Sequence, residues 1–321
     1  MGVESKVVSA ISGASIPKFL QNMGAVTGLQ PPPLERTRII IFGAPGCGKS
    51  TLLNSFPGML VLDPERGGNT VAEPRAWRWT APDATPLERL DLAYVEAIDK
   101  IIEQRRQGDT SVKMIGLDTL DALVRMGLDA YCIRRGVDDP LSSGEGRSGN
   151  GYTLVRRAFY GALERAYAAG LGYVMLVHKL EFIMETDKKA RKETQLGVTR
   201  SFRGHLLQMC DYMFYMYRYL KKGRTVPGTG TPILDPKTGK AILGRDGKPI
   251  EQNAQKAPDK EVRVLMTTPG ETRGDGDSVY TNDVKTRVPL PETIVIPQIG
   301  GYETLASAYN EAVKKLTQGK A

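Results

Sequence analysis

The residues whose types and spacing allow chemistry lie together near the start of the chain. Gly43-Ala44-Pro45-Gly46-Cys47-Gly48-Lys49-Ser50 fits the phosphate-binding loop pattern G-x-x-x-x-G-K-S/T without a mismatch. Glycines let the backbone wrap so that successive N–H groups point inward as an anion nest. The helix start that follows adds partial positive charge, which Lys49 extends toward outer phosphates. The Ser50 hydroxyl is of the type that ligates magnesium, and Thr51 closes the nucleotide-holding stretch. This chemistry requires a strand before the loop and a helix after it. Arg38-Ile39-Ile40-Ile41-Phe42 reads as a buried strand and Thr51-Leu52-Leu53-Asn54 as the opening of a helix. A plain Gly-rich turn is the bland alternative, and the flanking elements weigh against it. The chain is therefore expected to bind a nucleoside triphosphate together with Mg2+.

Three further strands bring candidate partners to that loop. Met59-Leu60-Val61-Leu62 runs into Asp63-Pro64-Glu65. In parallel α/β sheets the carboxyl ends of strands form the ligand crevice, so Glu65 is a candidate to orient and deprotonate an attacking water. The alternative is a solvated loop charge. Ser111–Leu117 is an apolar strand that delivers Asp118, a Walker B-type segment, and Asp118 is the candidate on the metal side. Thr119 follows it, so the adjacent catalytic acid of many ATPases is missing; Asp121 reads as a helix cap or a solvent-facing charge. Tyr173-Val174-Met175-Leu176-Val177 reads as a fourth buried strand ending at His178-Lys179. His178 there is either a sensor of the γ-phosphate or a structural histidine.

Composition sets the frame. The 321 residues carry 44 Lys plus Arg against 36 Asp plus Glu, a net charge of +8 that points weakly toward a polyanionic partner. The three cysteines, Cys47, Cys132 and Cys210, have no metal-type spacing and suit a reducing cytosol. Cys47 reads as a small filler in the loop, with a redox switch as the other option. No run of about eighteen apolar residues and no signal-peptide pattern is present, so a soluble, cytoplasmic protein with no membrane role is expected.

Residues 1–36 read as an N-terminal arm ending in a proline spacer, 37–300 as an ATPase core, and 301–321 as a final helix and tail. Within the core, Trp77 and Trp79 fall in a short alternating strand better suited to core or edge packing than to base stacking. Residues 86–107 and 152–169 have helical periodicity, and 140–151 is a loop by composition. Residues 180–203 read as a basic polar loop in which Lys188, Lys189, Arg191, Lys192, Arg200 and Arg203 are candidates to grip a phosphodiester backbone, a solvated surface being the alternative. Asp211–Tyr219 reads as a long aromatic-rich strand. Residues 221–260 read as an inserted β-hairpin, Glu261–Thr267 as a strand, and 302–316 as an amphipathic helix.

Taken in order, phosphate loop, strand-end Glu65, Asp118-Thr119, His178, basic loop, late strands and Lys285-Thr286-Arg287, the chain resembles the RecA-type ATPase core. It is most similar to phage-encoded RecA-like single-strand annealing ATPases, through Asp63-Pro64-Glu65 and through Lys285-Thr286-Arg287 ahead of Val288-Pro289-Leu290-Pro291. The resemblance covers about 37–296 and implies an α/β fold: a mostly parallel sheet flanked by helices, with antiparallel strands added late. It implies ATP and Mg2+ as cofactors and catalytic roles for Glu65, Lys49 and His178. Lys285 and Arg287 would act across a subunit interface in a ring or filament. It also implies single-stranded DNA as partner, with a single-stranded-DNA-binding protein as accessory, DNA-stimulated hydrolysis, and the bacterial host cytoplasm as location. Two departures stand out. The wording of the phosphate loop is closer to AAA+ ATPases, and 221–260 has no assignable counterpart. The alternatives are an AAA+-like loader or protein-remodelling ATPase, and a nucleotide-gated assembly module with little turnover.

Overall fold

A computed structural model describes residues 31–66, 75–141, 150–186, 189–221, 225–226, 255–256, 260–272, 279–281 and 284–318, with Lys18 and Lys240 besides. Backbone contacts divide the chain into Met1–Pro32 and Pro33–Ala321, and the second unit carries the sheet and its helices.

In chain order the strands are β1 (Arg38–Gly43), β2 (Met59–Leu62), β3 (Trp77–Trp79), β4 (Met114–Leu117), β5 (Gly172–Thr186), β6 (Lys189–Leu196), β7 (Tyr212–Lys221), β8 (Thr225–Val226), β9 (Gln255–Lys256), β10 (Lys260–Met266), β11 (Gly270–Thr272), β12 (Val279–Thr281) and β13 (Thr293–Ile296). The helices are α1 (Lys49–Asn54), α2 (Leu90–Arg106), α3 (Leu120–Arg135), α4 (Gly151–Ala168), α5 (Arg200–Met209) and α6 (Gly301–Thr317).

The unbroken apolar run Ile39–Phe42 is fully buried, as a central parallel strand covered on both faces must be. β1 lies between β5 and β7, parallel to both. Beyond β5 stand β4, β2 and the edge strand β3, all parallel. On the other side β10 runs antiparallel to β7, and β13 antiparallel to β10. The sheet is thus mostly parallel with antiparallel strands added at one edge, the α/β class read from the sequence.

Helices cover both faces. Tyr94 and Ile98 of α2, Leu120 and Leu123 of α3, and Val155 and Phe159 of α4 bury one face of the sheet. Leu52 and Leu53 of α1, with Leu305 and Tyr309 of α6, bury the other. The C-terminal helix is part of the core: the Tyr302 N–H donates to Ser55 Oγ at 2.8 Å, and the Tyr302 ring meets Phe56 edge-on at 4.9 Å.

Two expectations need correction. β5 does not stop at His178-Lys179. Its first half sits in the main sheet, and its second half, Lys179–Thr186, pairs antiparallel with β6. Residues 180–203 are therefore not a loop but this hairpin followed by α5. The extension mixes apolar residues (Leu180, Phe182, Ile183, Met184) with charged ones, and its partner β6 is mostly polar, so no long apolar run marks the hairpin. Of the expected insertion 221–260, the described residues are Lys221, the short β8–β9 pair, Lys240 and Lys260.

Candidate nucleotide site

The parallel order brings the C-terminal ends of β1, β4 and β2, and His178 in the middle of β5, to one edge of the sheet, and the loop Gly43–Ser50 leaves from β1 there. Gly46 and Gly48 have φ of +71° and +104°, a left-handed region that side chains disfavour. Lys49 is buried, and its ammonium donates to the Gly43 and Ala44 carbonyls at 2.9 Å each, curling over the first turn of the loop. Burial lowers its pKa against the opposing pull of charges that include Asp121, Asp118 and Glu65. Cys47 is buried, which pushes its thiol pKa up and leaves it a filler rather than a reactive thiolate.

Ser50 Oγ donates to Asp118 Oδ1 at 3.2 Å, so residues 68 positions apart in sequence meet at the start of α1. The Asp118–Thr119 peptide is cis. Two hard oxygen donors beside a phosphate loop suit Mg2+, which keeps several waters and takes phosphate oxygens rather than a full protein cage. Ser50 and Asp118 would hold it. Arg78, in the middle of β3, spans the same cluster. It donates to Asp63 at 2.6 Å, to Asp118 at 3.2 Å and to Asn54 at 3.2 Å. Trp79 beside it packs edge-on against Tyr94, while Trp77 is half-exposed on the edge strand.

His178 pairs in register with Gly43, directly beside the loop. Asp121 is neither a cap nor a solvent charge. Its carboxylate accepts from the His178 backbone N–H at 3.1 Å and lies 2.8 Å from His178 Nδ1. The hydrogen bond to Asp121 raises the His178 pKa, while burial opposes it. Burial works to raise the pKa of Asp121, but the bonds and charge of His178 bring it below the ordinary carboxylate value. The signs fix a window. The histidine's contribution to stability is full below its unfolded value and is lost as pH rises through its higher folded value. The aspartate's contribution is present above its unfolded value and is lost as pH falls through its lower folded value. The pair therefore stabilises most between about pH 4 and 6.5. His205, stacked on Tyr160, is shifted the other way by burial, so the chain's two histidines are expected to titrate on opposite sides of the ordinary value. NMR titration should show the higher of the two fall in Asp121→Asn; an unmoved pair would remove this contact.

Glu65 follows the end of β2, and its charge acts on both Lys49 and His178. Its carboxylate is 41% exposed and lies 3.6 Å from Arg125 of α3. The next residue, Arg66, has φ of +56°, uncommon without glycine, and its guanidinium bonds to the Ala81 carbonyl and pairs with Asp83.

Other candidates lie elsewhere. The Lys285 ammonium donates to the Leu207 and Cys210 carbonyls at the end of α5, and Arg287 pairs with Asp211, which also binds Arg38 at the start of β1. Both sit toward the strand's opposite end from their own chain's phosphate loop. Lys188 lies outside the described residues. Lys189, Arg191 and Lys192 fall on the first part of β6, of which only the backbone is described. Arg200 opens α5 exposed, and Arg203 hydrogen-bonds Gln195.

Sequence patterns alone do not assign Arg78 and Asp121 these roles. Arg78 stands between two tryptophans in an alternating stretch, which sends it to the face opposite them; that is its one signal. The signal of Asp121 is its place three residues after Asp118, in the first turn of a helix that starts at the site.

Among known proteins, the profile of a family described as an AAA domain, AAA_24, matches residues 35–247, more than half of the chain. A search of curated proteins finds no match. One similar solved structure belongs to work described as a structural and biochemical analysis of a prototypical ATPase from the type III secretion system of pathogenic bacteria. It is 16% identical with a TM-score of 0.32, and the match covers 56% of this chain and about half (51%) of that one. Likeness at that level decides nothing about this chain. No helix among the described residues is long and apolar enough to cross a membrane.

Proposed function

This chain belongs to the AAA domain family AAA_24 and is a P-loop ATPase; from that premise we propose that it couples ATP hydrolysis to binding of single-stranded DNA in recombination or annealing, as an oligomer. The observation that carries the coupling is the course of β5. One strand places His178 beside Gly43 and then continues as the hairpin partner of the basic strand β6. Contact with a polyanion at β6 thus has a continuous hydrogen-bonded path to the phosphate loop.

The roles follow from position. The loop's N–H groups and Lys49 hold phosphate oxygens. Mg2+ held by Ser50 and Asp118 would neutralise charge on the phosphates when bound. Glu65 orients and deprotonates water, and His178, steadied by Asp121, donates toward the outermost phosphate. Arg287, half-exposed despite its bond to Asp211, would reach a neighbouring subunit's nucleotide, with Lys285 beside it; in such a shared site ATP favours assembly. The antiparallel strands β10 and β13 favour a RecA-type architecture, since AAA+ proteins carry a helical lid where this chain, among the described residues, continues in strands.

The AAA+-like wording of the phosphate loop raises a second reading, a loader or remodelling ATPase acting on protein. Salt dependence separates the two. Log affinity for short single strands should fall linearly with log salt, with a slope that counts neutralised phosphates, and affinity should rise with a non-hydrolysable ATP analogue. No binding at low salt would favour the protein-acting ATPase.

A further inference from the structure

The phosphate loop has a second flank that neither the motifs nor the proposed roles use. β7 and β10 are antiparallel neighbours in which Arg218 stands opposite Arg263. Both side chains lie against the glycines of the loop. A methyl group placed on Gly48 would fall 2.9 Å from Arg263 Cδ, 3.2 Å from its Nε and 3.3 Å from its Nη1, and one on Gly46 would fall 3.8 Å from Arg218 Nη2. The charge of Arg218 is felt at the buried Cys47 thiol in the middle of the loop.

Two like charges directly opposite on a sheet repel, and such a pair needs an anion. Glu261, two residues before Arg263, supplies one: its carboxylate lies 3.0 Å from Arg263 Nε and 3.3 Å from Arg218 Nη1. One carboxylate between two guanidinium groups still leaves positive charge, set beside Lys49 and a ring of backbone N–H groups. Because both glycines lack side chains, the arginines can approach the backbone that would hold phosphate. The Arg263 side chain is only 18% exposed, which strengthens its interaction with any anion placed there.

We propose that Arg218 and Arg263 are phosphate-contacting residues supplied by the same chain from the antiparallel edge of the sheet, with Glu261 as their competing counter-ion. The site is then two-sided. Carboxylates, His178 and the metal position lie on the β5–β4–β2 side, and cations lie on the β7–β10 side. A triphosphate draws the guanidinium groups from Glu261 by forming charge-assisted, forked hydrogen bonds that an exposed carboxylate matches less well. This rests on the reading of Gly43–Ser50 as a nucleotide site.

The test is the dissociation constant of Mg-ATP for wild type, Arg263→Ala, Arg263→Lys, Arg218→Ala and Glu261→Gln, with thermal unfolding of each protein without nucleotide as a check on folding. Arg263→Ala is expected to weaken binding roughly tenfold, as loss of a charge-assisted bond does, with Arg263→Lys recovering part of it. Glu261→Gln, which removes the competing charge while keeping size, should tighten binding severalfold, a result that a purely packing role cannot produce. Wild-type affinity in Arg263→Ala, or weaker binding in Glu261→Gln, would overturn the proposal while leaving the nucleotide site standing. No nucleotide binding by wild type would overturn the site itself, and the proposal with it.

Discussion

Lys49→Ala is expected to cut ATP hydrolysis by about a hundredfold or more, the scale seen when one preorganised charge is removed from a reacting centre. Geometry explains why its loss is costly. The ammonium is buried and turned over the loop by the Gly43 and Ala44 carbonyls, so it is held in place before any phosphate arrives. Its surroundings already press its pKa down through burial, so phosphate charge beside it restores what solvent loss took away. Nucleotide affinity should fall with activity, because the lysine contacts the ground state as well as the transition state. Removing a desolvated cation need not unfold the chain, so the variant's melting curve should stay cooperative. Unchanged nucleotide affinity in a folded Lys49→Ala protein would remove the phosphate-loop assignment.

Glu65→Gln is expected to separate binding from chemistry. Turnover should fall by about 100- to 10,000-fold, the range for loss of a positioned general base, while Mg-ATP binding stays near wild type. Glutamine keeps the size and one acceptor but cannot take a proton at neutral pH. The bond it disturbs, to the exposed Arg125 at 3.6 Å, is a surface pair that contributes less than about 1 kcal/mol, so stability should hardly change. Single-turnover rates with bound nucleotide would show the defect directly. Full turnover in the variant would move the base to another group.

The parts legible in the sequence are those with short-range signatures. The loop motif, the apolar strands that precede Gly43, Asp63 and Asp118, and the helix of residues 301–317 all follow from patterns within a dozen or so residues. Parallel strand order then implies that their ends share an edge. What could not be read depends on long-range register. That Asp121 holds His178 needs β4 beside β5 and the first turn of α3 above them. That Arg263 lies on Gly48 needs β10 paired with β7, a contact no local pattern encodes. The hairpin of β5 and β6 reads as a loop in sequence because the β5 extension mixes apolar with charged residues and β6 is mostly polar. Strand pairing there outweighs composition, so Lys189, Arg191 and Lys192 fall on a strand and Arg200 and Arg203 on a helix instead of in a loop.

The most direct measurement is steady-state ATP hydrolysis with and without a short single-stranded oligonucleotide, at low and at moderate salt. The proposed activity predicts a clear rise in rate with DNA at low salt that fades as salt releases the strand. An equal rate with and without DNA, together with no DNA binding at low salt, would contradict it and leave a P-loop ATPase that acts on protein.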